Sequence, residues 1–230
     1  MLKKPDFNEI ERLYRQNEQK FIRFSALLQE YNKKYNLTSI TGEREITYKH
    51  FFDSLAGVAC FEENATVLEV GSGGGFPSIP LKIARGDLQF SLLESTGKKC
   101  EFLRVAVEAL GLNGVQVLNR RAEEAAQEGT YRERYDVCCA RAVARLNTLA
   151  EYCMPFVKKG GVFLAYKGAA AEEVEEGAHA ISVLGGKQAE CVAYSLPFDM
   201  GERTLVRVQK ERYTPPQYPR GHGKERSKPL

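Results

Sequence analysis

Three glycines at alternate positions follow an apolar run in Thr66-Val67-Leu68-Glu69-Val70-Gly71-Ser72-Gly73-Gly74-Gly75-Phe76-Pro77. A strand that runs into such a turn lets the backbone bend sharply and approach a ligand closely, and the helix that follows offers unpaired N–H groups at its start. The chemistry is that of a nucleotide-cofactor loop. A dinucleotide fingerprint would place its third glycine where Phe76 stands, whereas Glu69, Gly71, Gly73 and Gly75 make the E-x-G-x-G-x-G pattern of S-adenosylmethionine-dependent methyltransferases. Glu94 closes the next strand-like run, where a carboxylate can accept from both ribose hydroxyls of an adenosine or simply end a strand. Arg120-Arg121-Ala122-Glu123 follows the third run, where methyltransferases contact the adenine through a backbone N–H and an acidic side chain. The same residues also suit a helix start, since acidic side chains favour a first turn.

Arg141 ends the fourth run, at the position where this fold receives its methyl acceptor. The D/N-P-P-Y/F/W motif of enzymes that methylate exocyclic adenine nitrogens is absent there. A cytosine-C5 enzyme needs a cysteine nucleophile, but Cys138 and Cys139 sit in an apolar run and Cys153 on a helix, so all three read as core residues. Adjacent Cys138 and Cys139 should face opposite sides of a strand. Arg141, Lys167 and Arg203, each at a strand end or hairpin, are the candidate positioning residues at the mouth of the site. No side chain stands out as a catalytic acid or base, and the three histidines lack partners at metal-ligand spacing.

These residues need a scaffold to gather them. From residue 65 the pattern alternates, with strands expected at 65–70, 88–93, 115–119, 135–140, 161–166, 188–194 and 203–209 and helices at 75–85, 97–110, 121–127, 145–156 and 170–183. Alternation of this kind implies an α/β, Rossmann-like fold with a mostly parallel seven-stranded sheet and a ligand at the carboxyl ends of the strands. The last two strands lack an intervening helix and should pair as an antiparallel hairpin. That ending favours the class I methyltransferase variant over the dinucleotide-binding one. Ahead of this core, apolar positions at three- and four-residue spacing predict one helix over 7–33 and a second over 43–60. The expected organisation is an N-terminal helical cap at 1–62, a methyltransferase core at 63–210 and a basic extended tail at 211–230, together one compact unit.

Composition narrows the class. The 230-residue chain, 43% hydrophobic, can bury a full core. It contains no apolar run of about 18 residues and no signal-like start, so a cytoplasmic protein without membrane contact is expected; a monomer is the separate expectation. The net charge of +3 is concentrated at the C-terminus, where Lys210, Arg212, Arg220, Lys224, Arg226 and Lys228 face only Glu211 and Glu225. With four prolines there, the tail should be extended, serving either as a solvated terminus or as an arm for RNA phosphates.

Several motifs occur together and in order: Asn36-Leu37-Thr38-Ser39-Ile40, Lys49-His50-Phe51-Phe52-Asp53-Ser54-Leu55, the glycine loop continuing through Gly75-Phe76-Pro77-Ser78-Ile79-Pro80-Leu81, Ala140-Arg141-Ala142, and Thr214-Pro215-Pro216-Gln217-Tyr218-Pro219-Arg220. In this the chain closely resembles the bacterial RsmG family, also called glucose-inhibited division protein B, of guanine-N7 methyltransferases acting on 16S ribosomal RNA. Ser78 departs from the glycine common there. The resemblance implies S-adenosyl-L-methionine contacts at Gly71, Phe76, Ala122, Glu123 and Arg141, with Glu94 at the acidic ribose position. It implies 16S ribosomal RNA or the small-subunit particle as partner. Guanine N7 already carries an in-plane lone pair, which accounts for the missing general base. An NAD-binding oxidoreductase and a non-catalytic RNA-binding assembly factor are the alternatives.

Overall fold

The computed structural model describes residues 2–168 and 170–230. The first helix, α1 (Phe7–Gln16), begins where the Asp6 carboxylate accepts from the amides of Asn8 and Glu9, at 3.0 and 3.3 Å. The predicted helix over 7–33 is two helices: Asn17 leaves the helical region (φ −122°, ψ 18°) and donates its side-chain amide to the Leu13 carbonyl, and α2 (Glu18–Tyr35) starts on a new axis. Such local side-chain bonding competes with helix continuation. The new axis lets Phe21, Phe24 and Leu28 pack fully buried. Next comes a helix whose middle is wound as π-helix, with α3 (Glu43–Glu45), a π segment (Ile46–Phe52) and α4 (Asp53–Leu55) in succession. It ends short of the expected residue 60. The chain turns at Gly57 against Tyr166, where a β-carbon would lie 2.2 Å from the phenol oxygen, and a short 3-10 turn (Val58–Cys60) follows.

The core alternates β1 (Thr66–Val70), α5 (Ser78–Ala84), β2 (Gln89–Glu94), α6 (Gly97–Ala109), β3 (Val115–Asn119), α7 (Ala122–Ala125), β4 (Tyr135–Arg141), α8 (Leu146–Cys153), β5 (Val157–Lys167), α9 (Ala171–Val183), β6 (Glu190–Ser195) and β7 (Glu202–Gln209). The strands form one sheet in the order β3-β2-β1-β4-β5-β7-β6, in which β7 alone runs opposite to the other six. The terminal hairpin is therefore present, and β7 inserts between β5 and β6. β5 starts four residues before the expected 161, because Lys158, Lys159 and Gly160 carry no apolar signal yet still continue the strand across a register shift opposite Tyr135 and Val137.

The strand order reverses between β1 and β4, which opens a crevice at their carboxyl ends. Both faces of the sheet are buried. One face packs with α1, α2 and the π-containing helix in a single apolar cluster that runs from Ile10, Phe21 and Phe24 to Phe76, Phe102 and Cys139. Cys138 belongs to the cluster on the opposite face with Leu146, Cys153 and Phe163. The two adjacent cysteines thus do point to opposite sides. The tail departs from expectation: it carries a short helix, α10 (Lys224–Ser227), and lies against the protein instead of extending from it. Among the described residues no helix is long and apolar enough to cross a membrane.

Candidate functional site

The glycine loop sits at the crevice. Gly71 has φ +71°, and a β-carbon there would lie 2.8 Å from Val143 Cγ2; at Gly75, φ +85°, it would lie 2.5 Å from Ile79 Cδ1. Both positions therefore need glycine for conformation and for space. Two cavities meet at this loop. One, of about 630 Å³, lies between Gly71–Gly74, Phe76, His50, Asp53, Arg141, Lys167 and Arg203. The other, of about 440 Å³, lies over the ends of β1, β2 and β3 and is lined by Gly71, Leu93, Ser95, Ala122, Glu123, Val143 and Tyr152. Gly71 lines both.

The predicted residues fall into three groups. Phe76, Arg141, Lys167 and Arg203 line the larger cavity, Ala122 and Glu123 the smaller, and Gly71 joins them. Glu94 is brought to the loop but lines neither. It is 6% exposed, and its carboxylate accepts from Gly73 N at 3.0 Å and Thr96 N at 2.8 Å, so it braces the loop. A carboxylate has about four acceptor positions, so acceptor capacity remains for a ribose. Lys167 is tied down by Glu173 at 2.7 Å and by the Ala144 carbonyl at 2.8 Å.

Arg141 is the hub of a network that the sequence did not reveal. Its Nη1 donates to Asp53 Oδ2 and to the Lys49 carbonyl, both at 3.0 Å, and its Nη2 donates to His50 Nδ1 at 2.8 Å. Tyr194 donates its hydroxyl to Asp53 Oδ1 at 2.8 Å, and Arg203 Nε stands 3.6 Å from the same oxygen. The π-helical run presents Lys49 and His50 from one turn, a widened geometry found often at functional sites. Phe76 lies under this network, stacked on the His50 ring at 4.2 Å with the Arg141 guanidinium 4.8 Å from its centroid. Burial, and then the charge of Arg141, push the His50 pKa down to about 3, so the ring is neutral. In the sequence His50 and Asp53 stand out only as members of the Lys49–Leu55 motif. Nothing in the sequence pairs either with Tyr194.

Glu69 lies in β1 just before the loop, fully buried, with no hydrogen-bond partner for either carboxyl oxygen. Burial raises its pKa to about 8, a shift opposed by the nearby Ser78 and by the charge of Arg141. Because the folded-state value exceeds the unfolded one, this group favours the fold below about pH 4.5 and loses that contribution as pH rises through about 8. Chemical denaturation at a series of pH values should therefore show stability falling between pH 5 and 8, and Glu69→Gln should flatten that slope.

The thiols are unsuited to attack: burial raises the pKa values of Cys138 and Cys139 well above the ordinary thiol value. Among the described residues no three His, Cys, Asp or Glu side chains gather as a metal site would require.

The tail contributes unforeseen walls. Gly223 and Arg226 line the smaller cavity beside Tyr152. Arg220 holds the tail down by donating from its backbone N and Nε to Glu151 Oε1, both at 2.9 Å, and from Nη2 to Glu151 Oε2 at 2.7 Å. Arg132 donates to the carbonyls of Thr214, Pro215 and Tyr218, while Thr148 donates to that of Glu225. Lys210 is fully buried and Arg220 is held by Glu151, while Arg212, Lys224, Arg226 and Lys228 stay exposed; the tail is therefore packed on the protein and not extended from it, which corrects the expected conformation. Proline and charge content said extended and solvated, but the tail's partners lie far away in sequence.

Comparison with known proteins identifies the family. Residues 17–205 match the model of the GidB family, described as rRNA small subunit methyltransferase G. The chain is 45% identical to the ribosomal RNA small subunit methyltransferase G of Lactobacillus acidophilus over 93% of its own length and 91% of that protein. It is 46% identical to the protein of the same name from Geobacillus kaustophilus, over 91% and 90% of the two chains. Among solved structures, M. jannaschii TYW2 in complex with AdoMet aligns with TM-score 0.56 at 14% identity, over 74% of this chain and 77% of that one. Cofactor-bound Rv0187 from MTB aligns with TM-score 0.56 at 17% identity, over 83% and 91%. Those two likenesses concern the fold.

Proposed function

We propose, from the premise that this chain belongs to the GidB family of rRNA small subunit methyltransferases, that it transfers a methyl group from S-adenosylmethionine to N7 of a guanine in 16S ribosomal RNA. The observation that carries this reading is the meeting of two cavities at Gly71, one sized for a nucleoside and the other open to an acceptor base. The residues present fit the cofactor: a loop without β-carbons at the junction, Ala122 and Glu123 beside the nucleoside cavity, and Glu94 holding the loop in shape. When bound, S-adenosylmethionine supplies an electrophilic methyl group.

The chain's own part is positioning. N7 presents a lone pair at neutral pH and needs no base, so the protein has to hold the purine in line and keep water out. Phe76, His50 and Arg141 form a rigid wall for that purpose, since each ring or guanidinium is fixed by the others. Asp53 balances the charge of Arg141, which limits repulsion of a purine that becomes cationic as N7 is methylated. The substrate is the RNA or the small-subunit particle, and the enzyme works as a cytoplasmic monomer.

Titration calorimetry with S-adenosylmethionine, S-adenosylhomocysteine and NAD, followed by methyl transfer to small subunits lacking the modification, tests this reading. Methylated RNA should break at one site after reduction and aniline treatment, which is selective for N7-methylguanine. Alanine variants of Cys138, Cys139 and Cys153 that still fold should retain the activity. Binding of NAD alone, or label recovered as 5-methylcytosine, would overturn the assignment.

A further inference from the structure

The hydrogen-bond chain that starts at Arg141 leaves one proton without a protein acceptor. An arginine side chain only donates, so its 2.8 Å contact with His50 Nδ1 requires that nitrogen to accept. His50 is neutral and therefore carries its single proton on Nε2. That N–H must donate to Thr38 Oγ1, 2.8 Å away, and Ile40 N donates to the same oxygen at 3.0 Å. Both lone pairs of the Thr38 hydroxyl are then engaged, and its own proton has no partner in the protein.

Thr38 is held firmly in this role. Its backbone N–H donates to Asn32 Oδ1 at 2.9 Å, and its carbonyl accepts from Asn32 Nδ2 at 2.8 Å. The residue lines the larger cavity together with His50, Phe76 and Arg141. A hydroxyl oriented by two protein donors, on a residue pinned by two more hydrogen bonds, at the edge of a partly desolvated cleft discriminates strongly between a ligand atom that accepts and one that donates.

We propose that the Thr38 hydroxyl is a specificity-determining donor for the acceptor base, directed at guanine O6. This rests on the reading of guanine N7 as the methylated atom. The Hoogsteen edge of guanine offers N7 and O6 as neighbouring acceptors, whereas adenine places an amino donor at position 6. With His50 and Ile40 both donating to Thr38, the hydroxyl cannot accept from that amino group without losing one of those two contacts.

The test compares RNA substrates that carry guanine or 2-aminopurine at the target position, since 2-aminopurine keeps N7 but lacks O6. Two readouts are taken: methyl transfer, and equilibrium RNA binding in the presence of S-adenosylhomocysteine. For the wild-type protein the 2-aminopurine RNA should be methylated roughly a hundredfold more slowly and bound more weakly. Thr38→Val should lower the guanine reaction to a similar degree while leaving 2-aminopurine nearly unchanged, so that the ratio collapses. Thr38→Ser should restore most of it. A wild-type enzyme that treats the two RNAs alike overturns the proposal without recourse to any variant. So does a Thr38→Val protein that preserves the ratio while losing affinity for S-adenosylhomocysteine, which would assign the hydroxyl to the cofactor. If wild type binds no S-adenosylhomocysteine or methylates another atom, the underlying functional reading fails instead.

Discussion

An Arg141→Ala protein is expected to lose methyl transfer altogether and to be about 3–5 kcal/mol less stable, the usual cost of stranding one partner of a buried ion pair. The Asp53 side chain is 4% exposed, and without the guanidinium it keeps only the Tyr194 hydroxyl and, at 3.6 Å, Arg203. The loss extends beyond the pair. Without Arg141 the His50 tautomer is no longer enforced, and the Lys49 carbonyl loses its donor. Arg141→Lys keeps the charge but cannot reach Asp53, His50 and the Lys49 carbonyl with one planar fork, so it should fall well short of wild type. A double variant, Arg141→Met with Asp53→Asn, separates the two roles. It removes both charges and should recover much of the stability while activity stays lost. Thermal unfolding and calorimetry with S-adenosylhomocysteine on all three proteins would decide it; full activity in the double variant would show Arg141 to be structural only.

Removal of residues 211–230 should lower the melting temperature by on the order of 10 °C and weaken S-adenosylhomocysteine binding at least several-fold. The truncation strips Arg220 from Glu151, a carboxylate with no exposed surface, and takes Thr214 from the buried ammonium of Lys210. It also deletes Gly223 and Arg226 from the wall of the smaller cavity. A phosphate-binding arm would behave differently: its loss would flatten the salt dependence of RNA binding and leave stability and cofactor affinity alone. Arg226→Ala provides the finer comparison, because that side chain is exposed and stacks only loosely, 5.9 Å from the Tyr152 ring. It should reduce cofactor affinity with little change in melting temperature. A truncated protein as stable as wild type, with unaltered affinity, would return the tail to the role of an RNA arm.

The sequence by itself determined the parts of this protein whose signals are local. The short apolar runs of the strands, the three- to four-residue spacing of the helices between them and the absence of a helix between β6 and β7 together define the seven-stranded architecture and its antiparallel ending. The glycine loop was equally legible, because the positive φ found at Gly71 and Gly75 is a conformation that glycine adopts without the penalty other residues meet. The family resemblance picked out Phe76, Ala122, Glu123 and Arg141 as cofactor contacts, but gave none of their partners within the protein.

Tertiary structure decided which side chains speak to one another. Asp53 receives Arg141 and Tyr194 from positions 88 and 141 residues away, and Arg220 reaches Glu151 across 69 residues. No periodicity encodes such pairings; they exist because parallel strands carry distant chain segments to the carboxyl end of the sheet, where the helices must then cover apolar faces. Even the basic tail, extended by its prolines and solvated by its charges when taken alone, folds down because Glu151 and Arg132 await it. Each is a buried or half-buried group whose unmet hydrogen bonds would otherwise oppose the fold.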